Sequence, residues 1–569
     1  MSAQPPKAER SQVAKPDKDG RPLFDHTLTS NSLTDIVKLT VKLDVLPVIF
    51  VPGIMGSNLR LKKDKSRVWR LDSTMGLPLG LAWSMSGVQA GPRQKLMHPD
   101  RTEVDPDGAV PKSIAGIGNA EAIRARGWGQ VGQTSYSAFL QWLDETLNPA
   151  EHNPALWHDY YQDQATLSAP PEPGARPKLF AGVRMGMKGQ PFSAEMPFHP
   201  VMTDDLLKRS KFWMPVHAVG YNWLASNQQA AKFTLRPAIE RIIREYNNGH
   251  FSCEQVILVT HSMGGLVARA CAQLPGMEEK IAGIVHGVMP ATGAAVAYRR
   301  CKVGMRDEDF GASVVIGKTG QEVTAVFAQA PGALQLLPSK DYRPGWLGVL
   351  QGPSGVQAWP KADPYEEIYK VRDKWWGLVK EEWLSPKDGQ PIKWGDFEKN
   401  VVLAQDFHDQ LSGKYHPLTY VFYGADANQP SFEHINWRMK PGRAPDAKRP
   451  PDAVQVLGMS PQQVRMNGTT PEYVGGQHES QTYDSPEGPI TVEYESSYWE
   501  LHCEMHDGVG DGTVPDSSGR SPKERGGANI KQQFRLTGFA HEPAFKNGTA
   551  QHATVYAITK IAGIAKITT

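Results

Sequence analysis

The chain has 569 residues, room for several domains, yet a formal charge of only +2, with 62 Lys and Arg against 60 Asp and Glu. That balance, with no Lys/Arg stripe, excludes a nucleic-acid partner. Four cysteines (Cys253, Cys271, Cys301, Cys503) show neither a disulfide framework nor a metal pattern, so the fold should not depend on oxidation, and Cys253 and Cys271 read as buried thiols.

In chain order, residues 1–35 are polar and Lys/Pro-rich, which predicts a disordered tail. They hold no apolar core, so no conventional signal peptide is expected. Leu46-Pro47-Val48-Ile49-Phe50-Val51 is apolar and β-prone and breaks at Pro52-Gly53-Ile54-Met55-Gly56-Ser57, which predicts a strand and a tight loop. Residues 58–210 read as an insertion rich in Gly, Pro, Trp and Met, with a helix near 137–147. Within it, Leu77-Pro78-Leu79-Gly80-Leu81-Ala82-Trp83 is a candidate mobile lid, and the Lys/Arg cluster from Arg60 to Arg70 reads as a solvated face. A core strand is expected over 215–223. A crossover helix follows over 233–246, with Ile239, Ile242, Ile243 and Tyr246 at helical spacing.

Residues 255–259 are a β-branched run, as expected of a strand buried on both faces. The run turns sharply at Ser262 into a helix carrying Leu266, Val267, Ala268, Ala270 and Cys271. Residues 280–285 form the next strand. A second insertion, 291–415, carries Trp375, Trp376, Trp383 and Trp394, and a third, 430–500, is polar. Strand-like runs at 420–426 and 534–540 and a closing helix over 550–566 complete the pattern. Alternating buried strands and helices imply a parallel sheet covered on both faces. Because the candidate site residues span the chain, residues 36–569 read as one catalytic unit. The insertions follow core strands and are expected over the mouth of the site. Most of their Trp and Met residues read as core, with a few at a membrane-contacting rim. No run approaches the roughly 18 apolar residues of a transmembrane helix.

Strand, tight turn around Ser262 and helix are the context of a nucleophile elbow. Such a turn needs small neighbours so that strand and helix can pass closely. Gly264 and Gly265 supply them on one side, but Thr260 stands where the G-x-S-x-G pattern has its first glycine. In this fold the loop after an early strand and the residue after the nucleophile donate backbone N–H groups to the oxyanion; those residues are Ile54 and Met263. Among acids, Asp511 in Val509-Gly510-Asp511-Gly512-Thr513 is flanked by glycines that let a carboxylate turn inward. Asp426 ends a strand-like run and is the rival, and Asp507 is a third choice. His541 falls just after the last strand, where a general base belongs. His552 lies inside the closing helix and reads as structural.

The Pro52-to-Ser57 loop, His261-Ser262-Met263-Gly264-Gly265, Leu334-Gln335-Leu336-Leu337-Pro338-Ser339 and Gly510-Asp511-Gly512-Thr513-Val514-Pro515 resemble the lecithin:cholesterol acyltransferase-like and GPI-inositol-deacylase-like branch of lipases. Together with Tyr221-Asn222-Trp223 and His541-Glu542-Pro543-Ala544-Phe545, they look most like bacterial type VI secretion phospholipase effectors. The resemblance implies an α/β-hydrolase fold with large cap insertions and a Ser262–His541–Asp511 triad. It implies a phospholipid membrane substrate and export without a signal peptide, from the producing cytoplasm to a target cell's periplasm or membrane. It also implies an immunity protein and type VI loading proteins as partners. No metal or organic cofactor is called for. The same triad could instead serve a lipid acyltransferase or a GPI/inositol-deacylase-like esterase, and a non-catalytic lipid- or partner-binding module is the alternative of a different class.

Overall fold

Six short, largely apolar segments build the central sheet of the computed structural model: β1 (Val48–Val51), β2 (Val216–Ala218), β3 (Val256–His261), β4 (Ile281–Gly287), β5 (Thr419–Gly424) and β6 (Ile530–Leu536). Their order is β2-β1-β3-β4-β5-β6, and every pairing is parallel. The structure describes residues 15–16, 22–23, 43–72, 88–148, 193–248, 250–308, 317–351, 355–442, 451–475, 478–485, 488–495 and 498–567.

Side chains alternate across each strand, so the sheet divides the core into two layers. Ile49, Val51, Leu258, Ile284 and Val421 enter one layer, and Val48, Phe50, Ile257, Val259, Val285 and Phe422 the other. Helices α1 (Gln133–Leu147), α2 (Arg236–Tyr246), α3 (Gly264–Ala272), α4 (Val296–Val303), α5 (Trp394–Leu411) and α6 (Gly548–Ala562) cover them. α2 to α5 pack into the first layer and α1 and α6 into the second. Each large aliphatic or aromatic side chain so buried contributes about 1.5–3 kcal/mol relative to exposure.

Boundaries move where backbone donors find other acceptors. The strand expected to reach residue 223 stops at Ala218, because Gly220 N–H donates to Gln130 Oε1 and Tyr221 N–H to Ser57 Oγ, each at 3.0 Å. The helix expected from 233 begins instead at Asn227–Ala230 and passes through a π turn, Ala231–Leu235, into α2. β6 ends at Leu536, so a short loop separates it from His541.

The second and third insertions merge. Together they form another six-stranded sheet, in the order Gly355–Trp359, Leu347–Gln351, Ile435–Pro441, Trp499–Cys503, Glu472–Val474, Val464–Arg465. Two of their tryptophans are core, Trp375 at 0% and Trp383 at 5% exposed, and Trp376 and Trp394 are half-buried against it. Buried Lys302 on α4 donates to the carbonyls of Trp375 (2.6 Å) and Gly377 (2.7 Å), fastening this layer to the helix beside the central sheet.

The middle of the Arg60-to-Arg70 cluster is a solvated face, with Lys62, Lys63, Lys65 and Arg67 exposed. At its ends Arg60 pairs with Glu103 and Asp107, and Arg70 with buried Asp105. The four cysteines are free and buried. The lid candidate at 77–83 lies outside the described residues. Of residues 1–35 only Lys15–Pro16 and Pro22–Leu23 are described, as an antiparallel pair. Among the described residues no helix is long and apolar enough to cross a membrane, and no group of His, Cys, Asp and Glu is placed to hold a metal ion.

Candidate active site

The chain leaves β1 for β2 on one side and returns to β3 on the other, so the carboxyl ends of β1 and β3 border a crevice at a topological switch point. β1 delivers the loop beginning at Pro52, and β3 delivers Ser262. Val51 and Thr260 pair across the two strands, which brings loop and elbow side by side.

Ser262 takes φ of 52°, a left-handed value uncommon for a residue with a Cβ. The turn survives because backbones close in around it. A Cβ on Gly264 would lie 2.4 Å from Pro52 O, and one on Gly53 would lie 3.0 Å from both His261 Nδ1 and Ser262 Cβ. The loop carrying Ile54 is thereby pressed against the turn carrying Met263. Thr260, at the position where a glycine was expected, directs its hydroxyl to His286 Nδ1 on β4 at 2.9 Å. That bond draws the larger side chain towards β4.

Asp511 reaches the site by a local ladder. Asp426–Ser431 pairs antiparallel with Gly508–Gly510, Asp426 opposite Gly510, and this returns the chain from the third insertion to the end of β5. Gly424 closes β5 and leaves room for the acid, since a Cβ there would lie 2.7 Å from Asp511 Cβ. The Asp511 Oδ1 accepts N–H bonds from Thr513 (3.1 Å) and Val514 (2.7 Å), and Oδ2 accepts from His541 Nδ1 at 2.8 Å. His541 Nε2 in turn lies 2.8 Å from Ser262 Oγ. Asp511 is 1% and Ser262 4% exposed, so both ends of the series are shielded from water, while His541 between them is half-buried. In this order a carboxylate orients an imidazole, and the imidazole can take the serine proton.

The rival acids have other partners. Asp426 accepts the N–H groups of Asn428 and Gly538, each at 2.8 Å, and these bonds hold its carboxyl below the usual range. It fastens the start of the loop that carries His541. Asp507 binds His434 Nδ1 at 2.7 Å. His552 is half-buried on α6, and burial lowers its pKa. Two residues that the sequence reading did not assign also meet the site. Tyr136, from the first insertion, places its hydroxyl 2.9 Å from His261 Nδ1, and His261 Nε2 lies 3.0 Å from the His541 carbonyl. Tyr136 had no local signal, and His261 was visible only as the neighbour of the serine.

A solved structure described as the crystal structure of the Tle4-Tli4 complex matches at 30% identity and a TM-score of 0.66, over 93% of this chain and 100% of that one. The chain belongs to the Tle4 family. The model of the PGAP1-like alpha/beta domain matches residues 194–304 of this Tle4-family chain, the stretch that holds β2, β3, the elbow and β4. The central sheet is accordingly that of an α/β-hydrolase, in line with the resemblance carried by the elbow motif. Phospholipase PlaB from Legionella pneumophila also matches, at 9% identity over 51% of this chain and 72% of that one, but its TM-score of 0.15 carries no structural likeness. No curated protein matches the sequence.

Proposed function

We propose that this Tle4-family chain is a serine hydrolase of carboxylic esters in membrane phospholipids, and an antibacterial effector of type VI secretion. The hydrogen-bonded series Ser262–His541–Asp511, at the carboxyl ends of a parallel sheet, carries the reading. Family membership supports ester hydrolysis and the effector role. The Tle4-Tli4 complex supports an immunity protein of the Tli4 kind as partner. Residues 36–569 act as one catalytic unit, with the insertions as its cap. The protein leaves the producing cytoplasm by the type VI route and meets phospholipid in the periplasm or membrane of a target cell.

In the reaction, Ser262 Oγ attacks the acyl carbonyl carbon while His541 Nε2 takes the hydroxyl proton. Asp511 supports the imidazolium that forms. The Ile54 and Met263 N–H groups receive the oxyanion, each contributing about 3–4 kcal/mol to the transition state. His541 then protonates the departing lysophospholipid alcohol, and water, deprotonated by the same imidazole, releases the fatty acid from Ser262.

Incubation with vesicles of defined phospholipids, read by mass spectrometry, tests this. Fatty acid and lysophospholipid are expected from the native protein and neither from Ser262→Ala at an unchanged melting temperature. Release of diacylglycerol or of the headgroup would remove the ester assignment. Transfer of the acyl chain to an added sterol in preference to water would make the protein an acyltransferase.

A further inference from the structure

We propose that Tyr136 and His261 are positioning residues: a neutral hydrogen-bond relay of fixed proton order that registers the oxyanion loop and the His541 loop to the nucleophile elbow. The proposal deepens, and rests on, the reading of Ser262, His541 and Asp511 given above.

Three contacts define the relay. Gly53 N–H donates to the Tyr136 hydroxyl oxygen at 3.3 Å; that oxygen lies 2.9 Å from His261 Nδ1; His261 Nε2 lies 3.0 Å from the backbone oxygen of His541. An amide N–H can only donate and a carbonyl can only accept. His261 therefore carries its proton on Nε2 and accepts on Nδ1, while Tyr136 accepts from Gly53 and donates to the ring. A neutral His261 of the opposite tautomer would set a bare ring nitrogen against the His541 carbonyl. The doubly protonated ring would place a charge in a fully enclosed site, and burial, the main cause, pushes the His261 pKa down to about 3.

Both ends of the relay are catalytic backbone. Anchoring the Gly53 N–H fixes the Pro52–Gly53 peptide, one unit before the peptide that carries the Ile54 N–H, and it commits the Gly53 N–H to Tyr136, leaving the neighbouring Ile54 N–H for the oxyanion. At the other end the main chain of His541 is gripped on both sides. Its carbonyl accepts from His261, and its N–H donates to the Asp511 carbonyl at 2.7 Å. The imidazole thus starts from a backbone that two separate loops hold in place.

The packing is built around the two rings. Tyr136 lies 4.9 Å from the Phe50 ring and 5.6 Å from the His261 ring, and His261 lies 5.8 Å from Phe545. A Cβ on Gly56 would lie 2.7 Å from the Tyr136 hydroxyl, so the loop gives up side chains to admit the phenol. Tyr136 sits on α1, in the layer opposite α3, so an insertion reaches the catalytic loops from the far face of the sheet.

Fluorophosphonate labelling separates this proposal from its foundation. If Ser262→Ala labels as fast as the native protein, the reading of the triad fails and the relay falls with it. Where labelling depends on Ser262, Tyr136→Phe, which keeps the ring packing, is expected to lower kcat on a soluble ester by about 10- to 100-fold. KM should stay within about twofold, and the midpoint of the acid limb should not move, because the His541–Asp511 bond is untouched. His261→Gln can donate to the His541 carbonyl and accept from Tyr136. It should retain roughly tenfold more kcat than His261→Leu, which can do neither. Native kcat in a folded Tyr136→Phe, or equal kcat in the two His261 variants, overturns the proposal. If Tyr136→Phe does not fold, the His261 pair alone decides.

Discussion

His541 is tied to Asp511 twice, by its backbone N–H to the Asp511 carbonyl at 2.7 Å and by Nδ1 to the carboxylate at 2.8 Å. The first bond places the loop and the second selects the tautomer. Asp511→Asn keeps the backbone bond but can present an amide N–H to Nδ1. We expect kcat to fall by about 10³- to 10⁴-fold with the fold intact. The Asp426 carboxylate accepts the Asn428 and Gly538 N–H groups rather than an imidazole, so Asp426→Asn should lower kcat by less than about tenfold. Steady-state kinetics of both variants on one soluble ester decide between the two acids, and a reversed ranking would transfer the role to Asp426.

Backbone strain at the elbow is measurable apart from chemistry. Ser262 at φ of 52° carries a Cβ where glycine is preferred. Ser262→Ala and Ser262→Gly should both be inactive, but the glycine variant should unfold at higher denaturant, by about 1 kcal/mol. Equal stability of the two would mean that the turn is unstrained.

Close approach of α3 to the oxyanion loop makes Gly264 sensitive to a single methyl group. Its Cβ would lie 2.4 Å from Pro52 O and 2.5 Å from Val51 O, both rigid backbone. Gly264→Ala should cost about 1–3 kcal/mol or more and displace the loop carrying Ile54, lowering kcat as well. Chemical denaturation and kinetics report the two effects, and a variant with native values of both would show that the elbow yields freely.

Two buried histidines and the half-buried His408 predict acid lability. Burial is the main cause that pushes His261 and His286 down to about 3 and His408 to about 4, from an ordinary value of 6.5, and it lowers buried His217 in the same direction. Between those limits the unfolded chain binds more protons than the folded one, so stability rises with pH. The contribution is fully present above about pH 6.5 and is lost as pH falls towards the folded values. At pH 5.5 each histidine should cost about 1.4 kcal/mol and the three together about 4 kcal/mol, while ordinary carboxylates remain ionised. Denaturant melts at pH 7.5 and 5.5 check this, and equal stability at the two would contradict it.

The elbow was legible because its signal is local. A β-branched run, a turn with Gly264 and Gly265, and an apolar helix are contiguous, and each is dictated by neighbours a few residues away. The same holds for β1, β4 and the closing helix. Local pattern favoured Asp511 over Asp426 only through its flanking glycines, and the resemblance of Gly510-to-Pro515 selected it. The ladder that sets Asp426 opposite Gly510 turns one towards His541 and the other towards Gly538. The pairing of Arg70 with Asp105, the sheet shared by two insertions and the relay through Tyr136 were out of reach for the same reason, since each joins segments far apart in the chain.

Sequence alone determined the parallel α/β frame, the position of the strained serine and a short roster of acids and bases. Periodicity and turn chemistry act over one or two turns of chain, so a linear reading captures them. Only tertiary structure brings the Asp511 carboxylate onto the His541 imidazole and decides which phenol supports both loops. Ser262 and His541 are 279 positions apart, and Tyr136 and His261 are 125 apart. Hydrogen bonds at 2.8 and 2.9 Å across such separations are settled by the packing of whole layers, which no local pattern encodes.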